Sequence, residues 1–275
     1  MNGLVIVDKP IGVTSFDVIR NIRKEYNIKK VGHIGTLDPM ATGVLPVLIG
    51  EATKLSDYLM EHDKEYIAVL KLGEKRDTGD SEGSIIEEDN LSNCILSKDN
   101  ILKNLKYFEG ESMQIPPMYS AIKVNGKKLY ELARKGETIQ RTPRKIHISN
   151  IMLNKIDNEN NEIEYGVTCS KGTYIRVLCE DIAKKLNTVG YMKSLRRIKV
   201  GNFKISEAGK FIEMEKILDS NKKIEIIHDD DIKKLLNGVS INIANANDLY
   251  NLYYNNKYLG IGEVKNQILR RKIII

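Results

Sequence analysis

Three glycines frame one carboxylate in the stretch Gly32-His33-Ile34-Gly35-Thr36-Leu37-Asp38-Pro39-Met40-Ala41-Thr42-Gly43. Glycine lets a backbone take left-handed conformations and approach a ligand closely. Pro39 pins the residue before it, and an apolar run, Val44–Ile49, follows at once. A carboxylate on a constrained loop above a buried strand can serve as a nucleophile or a base. Most Asp-Pro pairs merely cap a turn, so the loop alone does not choose between the two. It is neither GxGxxG nor a Walker A loop, since no Gly-Lys-Ser/Thr follows.

Metal and disulfide chemistry find little support. The histidines His33, His62, His147 and His228 lie far apart, in no spacing that suggests a ligand set. The cysteines Cys94, Cys169 and Cys179 form no CxxC pair, which fits a reducing cytosol better than a disulfide framework. Asp229-Asp230-Asp231 could suggest a metal-dependent hydrolase. Three acids opening a helix are more simply a favourable interaction with its dipole.

Charge points elsewhere. The net charge is +6, and residues 113–150 carry eight lysines and arginines (Lys123, Lys127, Lys128, Arg134, Lys135, Arg141, Arg144, Lys145) against Glu131 and Glu137. Residues 191–204 add Lys193, Arg196, Arg197, Lys199 and Lys204 with no acid. Such clusters suit a polyanion, because each neutralised phosphate releases condensed counterions. Two solvated basic faces explain the charge equally well.

The elements that must position these groups follow from periodicity and punctuation. Leu4–Val7 reads as a strand ended by Asp8-Lys9-Pro10 and Gly12. Thr14 or Ser15 caps a helix with Phe16, Ile19, Ile22 and Tyr26 at helical spacing. Residues 51–60 and Ser97–Phe108 read as helices and Tyr66–Leu72 as a strand, with a polar, turn-rich piece at Asp77–Gly83. Tyr119–Val124 reads as a strand entering a hairpin turn at Asn125-Gly126, and Leu129–Arg134 as a short helix stopped by Gly136. Strands are expected near Ile146–Leu153 and Ile163–Cys169, then a helix marked by Ile175, Leu178, Ile182 and Leu186. The irregular alternation favours an α+β domain with a mixed, largely antiparallel sheet. The texture changes near residue 222. Beyond it Asp229–Leu236 reads as a helix, and Tyr258–Val264 and Ile268–Ile275 as closing strands of a small appendage. No apolar run approaches the roughly 20 residues that span a bilayer. The apolar start lacks the basic n-region and cleavage site of a signal peptide.

The Gly32–Gly43 stretch closely resembles the central motif of the TruB family of pseudouridine synthases, GHTGTLDPxATGxLP, with Ile34 where threonine is usual. Further segments match in order. They are Asp8-Lys9-Pro10-Ile11-Gly12-Val13-Thr14-Ser15, Asp63-Lys64-Glu65-Tyr66, Asp77-Thr78-Gly79-Asp80, Pro116–Lys123 with Gly126–Tyr130, and Ser170-Lys171-Gly172-Thr173-Tyr174-Ile175-Arg176. The resemblance covers roughly residues 3–200. It implies a pseudouridine synthase fold over 1–222, with an RNA-gripping insertion at about 112–142. A short PUA-like RNA-binding unit is implied over 223–275.

The chemistry so implied converts a uridine of tRNA, at position 55 of the T loop, to pseudouridine. The N1–C1′ bond breaks, the uracil turns, and C5 bonds to C1′. The reaction is redox-neutral and calls for no cofactor or metal. By resemblance Asp38 is the catalytic aspartate and Arg176 its cationic partner. Tyr66 stacks on the base, Leu195 walls the pocket, and Lys9 with Pro10 buttresses the loop. His33 fills the space that the extruded base leaves. Lys123, Lys127, Lys128, Arg141 and Arg144 are expected to contact phosphates. The expected protein is cytoplasmic and monomeric, with the tRNA elbow as partner and no membrane or obligate protein partner. An enzyme of ribosomal RNA or of a guide-RNA particle, and an RNA-folding chaperone, are the competing readings.

Overall fold

A computed structural model describes residues 1–275 except 93, 95, 125 and 275. Among the described residues a ten-stranded sheet forms the body of the protein. Its strands run in the order Phe211–Glu213, Gly3–Lys9, Thr42–Ile49, Gly190–Val200, Lys64–Leu72, Glu162–Cys169, Arg144–Asp157 and Gly110–Gln114. Val31–His33 also pairs with Thr42–Ile49, and Phe203–Lys204 with Gly190–Val200. Every pairing is antiparallel except the one joining Gly190–Val200 to Thr42–Ile49. The α+β expectation with a mixed, largely antiparallel sheet agrees with this.

The Ser15–Glu25 helix packs Val18, Ile19 and Ile22 against Leu45, Val47 and Ile49 on one side of the sheet. Thr14 is its cap. Its hydroxyl accepts from Asp17 N at 3.1 Å while the Asp17 carboxylate accepts from Thr14 N at 3.1 Å, a reciprocal arrangement that satisfies two orphan donors. Capping by Thr14 leaves Ser15 for another task. The Ile175–Lys185 helix buries Ile175, Leu178, Cys179 and Ile182 in a second cluster with Leu70, Tyr165 and Met192.

Beyond the body, a five-stranded sheet runs Lys223–Ile226, Asp248–Tyr254, Lys257–Lys265, Ile268–Ile274 and Ile241–Asn242. The Asp229–Leu236 helix lies against it. Leu249, Ile261 and Ile273 join Leu4, Ile6 and Leu48 of the body in one apolar cluster, and Lys222 reaches Asp248 at 2.7 Å and the Tyr58 hydroxyl at 2.8 Å.

Several expectations need correction. Tyr119–Val124 is not a strand along its length, and only Lys123–Val124 pairs, with Lys127–Lys128. Asn125 of the expected turn and Ile275 of the last strand lie outside the described residues. Residues 51–60 form a 3₁₀ segment, Gly50–Leu55, followed by a short α-helix, Ser56–Met60. The basic stretch 191–204 is no free cationic surface, for most of it is the Gly190–Val200 strand at the heart of the sheet, with its cations paired or buried. There Lys193 pairs with Glu162, Arg196 with Asp8, and Lys199 with Glu65. Arg197 is 1% exposed.

Candidate active site

The one parallel strand pairing described in the ten-stranded sheet builds the site. Arg196 and Arg197 lie in register with Thr42 and Gly43, while on the strand's other edge Leu195 and Arg197 oppose Ala68 and Tyr66. One strand therefore brings the glycine loop, the Tyr66 strand and Leu195 together. A cavity of about 390 Å³ opens there. Asp38, Tyr66, Leu195, Arg176 and Arg197 are among its lining, with Lys64 and Tyr174.

The loop that carries Asp38 is held from below. Lys9 is fully buried, and its ammonium donates to the carbonyls of Pro10 at 3.0 Å, Val13 at 2.6 Å and Pro39 at 3.2 Å. Ser15 Oγ accepts from Leu37 N at 2.9 Å and donates to Leu37 O at 3.1 Å. Gly12 N donates to Pro39 O at 2.9 Å. Residues on both sides of Asp38 are thus fixed, which is what a carboxylate needs if its position is to be reproducible.

Arg176 stands at the second position of the Ile175–Lys185 helix. Its Nη2 lies 3.2 Å from Asp38 Oδ2, and its Nη1 lies 3.4 Å from Asp80 Oδ2. The same guanidinium donates to Thr78 O at 3.0 Å and Tyr119 O at 2.7 Å. Gln114 fixes the helix start, accepting from Tyr174 N at 2.8 Å and donating to Tyr174 O at 3.1 Å. The arginine thereby ties Asp38, the Thr78–Asp80 turn and the 115–143 insertion to one group.

Burial dominates the electrostatics of Asp38 and pushes its carboxyl above the ordinary aspartate value. Arg176 pulls it back, Asp80 adds an upward push, and Lys9 a smaller pull downward. Burial likewise lowers the Lys9 ammonium, opposed by Asp38 and Glu82. The Tyr66 hydroxyl is raised by burial and drawn down by the Arg197 charge. Among the described residues no three His, Cys, Asp or Glu side chains gather into a group that could hold a metal ion.

The cavity thus brings together Asp38, Tyr66, Arg176 and Leu195, with Lys9 beneath. His33 does not line it. It is half-buried in the Val31–His33 strand opposite Val47, its Nδ1 lacks a partner, and burial followed by the Arg197 charge lowers its pKa. The insertion hangs between the edge strands Gly110–Gln114 and Arg144–Asp157. Lys123, Lys127 and Arg144 are exposed on it or at its root. Lys128 is half-buried, its ammonium 5.4 Å from the Tyr130 ring centroid. Arg141 turns inward and donates to Pro116 O at 3.2 Å.

Sequence reasoning missed Arg197 and gave Asp80 and Ser15 no role at the site. Asp80 is 3% exposed and accepts from the Thr78 hydroxyl at 2.7 Å. Its place in the Asp77–Asp80 turn signature was the available signal.

The family model described as TruB family pseudouridylate synthase (N terminal domain) matches residues 23–175. A second, tRNA pseudouridylate synthase B C-terminal domain, matches 176–240. The chain is 44% identical to the tRNA pseudouridine synthase B of Clostridium kluyveri, over 97% of this chain and 96% of that one. It is 41% identical to that of Hydrogenovibrio crunogenus, over 99% and 93%. Among solved structures, a Cbf5-Nop10-Gar1 complex superposes with a TM-score of 0.68 at 25% identity, covering 95% of this chain and 78% of that one.

Proposed function

The chain belongs to the TruB family of pseudouridylate synthases, and from that premise we propose that it isomerises uridine 55 in the T loop of tRNA. The observation that carries this reading is the Asp38–Arg176 pair at 3.2 Å on the wall of a cavity also lined by Tyr66 and Leu195. The target base leaves its stack at a cost of a few kcal/mol and enters the cavity. His33, kept neutral by burial, takes the vacated place. The ionised Asp38 either attacks C1′ or removes the 2′ proton, and N1–C1′ cleavage leaves the electron pair on the uracil. Arg176 favours the ionised carboxylate that both routes need. The uracil turns against Tyr66 and Leu195. C5 bonds to C1′ as the Asp38 ester bond breaks on the first route, or as Asp38 returns the proton to C2′ on the second. The C5 proton passes to water and N1 takes one up. Atoms and electrons balance without an external oxidant or reductant.

The exposed cations Lys123, Lys127 and Arg144, with Lys128 and Arg141, support a tRNA elbow gripped by the insertion. Residues 223–275 form a PUA-like unit that extends the RNA contact. The protein works in the cytoplasm as a monomer without an obligate protein partner. Among the described residues no helix is long and apolar enough to cross a membrane.

The test is tritium release from C5-labelled uridine in T-arm RNA by wild type and Asp38→Asn. Release by wild type, with a loss of at least about 10³-fold in the variant and RNA binding kept, supports both reaction and residue. No release from either removes the uridine 55 assignment and favours a chaperone or another RNA. Equal release from both refutes Asp38.

A further inference from the structure

Arg197 occupies an unusual place. It is 1% exposed, in register with Gly43 on one side of its strand and with Tyr66 on the other. Its Nε donates to Val44 O at 2.7 Å, its Nη2 to Gly35 O at 2.9 Å, and its Nη1 to Thr36 O at 3.5 Å. Two glycines of the loop lie against this residue, Gly43 against its backbone and Gly35 against its guanidinium. A Cβ at Gly43 would stand 2.1 Å from the Arg197 carbonyl oxygen, and one at Gly35 3.3 Å from its Nη1. The remaining neighbour is Tyr66, opposite Arg197 in the strand pairing and lining the same cavity, where its phenol feels the guanidinium charge. Among the described residues no carboxylate forms an ion pair with it.

A buried guanidinium answered only by carbonyl dipoles and a phenol is expensive for a purely structural strut. Carbonyls can hold a neutral donor as well, so a site that retains the charge has a use for it. We propose that Arg197 is a positioning residue for base handling: it fixes the Tyr66 hydroxyl and sets an unneutralised positive charge beneath the uracil. This deepens the uridine-isomerising reading and rests on it. When the N1–C1′ bond breaks, the electron pair stays with the uracil, and a preorganised cation stabilises that anion without solvent reorganisation. Arg176 cannot serve in the same way, since Asp38 and Asp80 already share its charge.

The proposal is tested on the full-length protein with Arg197→Met, Arg197→Lys, Tyr66→Phe and the Arg197–Tyr66 double variants, each first checked for folding by thermal melting. The first readout is the ¹⁹F resonance of 3-fluorotyrosine at position 66, titrated without RNA. The cation holds the hydroxyl pKa down, so Arg197→Met raises the midpoint by about one pH unit or more, and Arg197→Lys restores it toward wild type. The second readout is turnover. Arg197→Met lowers kcat by about 10²-fold with KM for T-arm RNA within about threefold. Combined with Tyr66→Phe it loses less than the product of the two single losses. An unmoved midpoint in a folded Arg197→Met protein overturns the proposal, as does a loss that multiplies fully with that of Tyr66→Phe. Should Arg197→Met fail to fold, the Arg197→Lys cycle with Tyr66→Phe carries the same test, and full multiplication there is equally fatal. If wild type turns over no T-arm RNA, the functional reading fails, while the fluorine titration still decides whether Arg197 governs Tyr66.

Discussion

Arg176 stands 3.2 Å from Asp38 and 3.4 Å from Asp80, so one guanidinium is shared by two carboxylates that repel each other. Asp38 is already above its ordinary pKa because burial outweighs the arginine's pull. Removing the cation in Arg176→Gln raises it further, since the repulsion from Asp80 remains. The reaction needs the ionised carboxylate, so the acid limb of kcat/KM moves to higher pH in the variant. A pH profile of tritium release measures this. A uniform loss with the limb unmoved would show that Arg176 acts only through its bonds to Thr78 and Tyr119.

The raised Asp38 also carries a stability signature. A carboxyl whose folded pKa exceeds its unfolded value is bound to its proton more tightly in the folded state, so stability falls as pH rises between the two values. The penalty is complete above the folded pKa and vanishes below the ordinary aspartate value. Asp38→Asn, which keeps the shape and drops the charge, should therefore melt slightly above wild type at neutral pH. The 38% exposure of the side chain keeps the gap small, and the gap narrows toward the aspartate range. A variant that melts lower than wild type at pH 7 would mean that the Arg176 pairing outweighs burial.

The family resemblance, carried by spaced motifs, is what singled out Asp38, Tyr66 and Arg176, since an Asp-Pro turn or a strand tyrosine alone has an ordinary structural reading. The fold brings the three to one cavity. The strand Gly190–Val200 was not legible, and the reason is physical. Register shifts fall between Met192 and Ser194 and between Arg197 and Lys199, so the two-residue alternation that announces a strand is broken twice. Its side chains are also basic, and composition alone cannot show that Lys193, Arg196 and Lys199 each meet an acid from a distant segment. The glycines misled in a related way. Gly35 and Gly43 were read as making room for a ligand, but the group they admit is Arg197.

Lys123 and Lys128 face each other across the paired strands of the insertion, with Lys127 beside them. Lys127 is exposed, and the Lys128 ammonium lies 3.4 Å from the Tyr130 hydroxyl while its backbone N–H donates to the Glu131 carboxylate at 3.3 Å. Reversing both charges in Lys127→Glu, Lys128→Glu should leave the melting temperature nearly unchanged and weaken T-arm RNA binding. Each lost phosphate contact flattens the slope of log K against log salt by about 0.7–0.9. An unchanged slope would remove these lysines from the RNA interface.

The tightest constraint on the site belongs to Gly43. Its φ of +103° lies where side chains are strained, and an added Cβ would meet the Arg197 carbonyl oxygen at 2.1 Å and its nitrogen at 2.8 Å. Both obstacles are backbone in the parallel pairing, so no side-chain rotation relieves them. Gly43→Ala must separate the two strands, and with them the loop of Asp38 from the strand of Leu195. A loss of at least about 3 kcal/mol in urea unfolding is expected, from the overpacking and strain together. Gly172 provides the comparison, with φ +77° and nothing within 4 Å of an added Cβ. Gly172→Ala bears only the conformational part, of order 1–2 kcal/mol. Equal losses at the two positions would show that φ alone, and not the close approach of Arg197, makes glycine necessary in the loop.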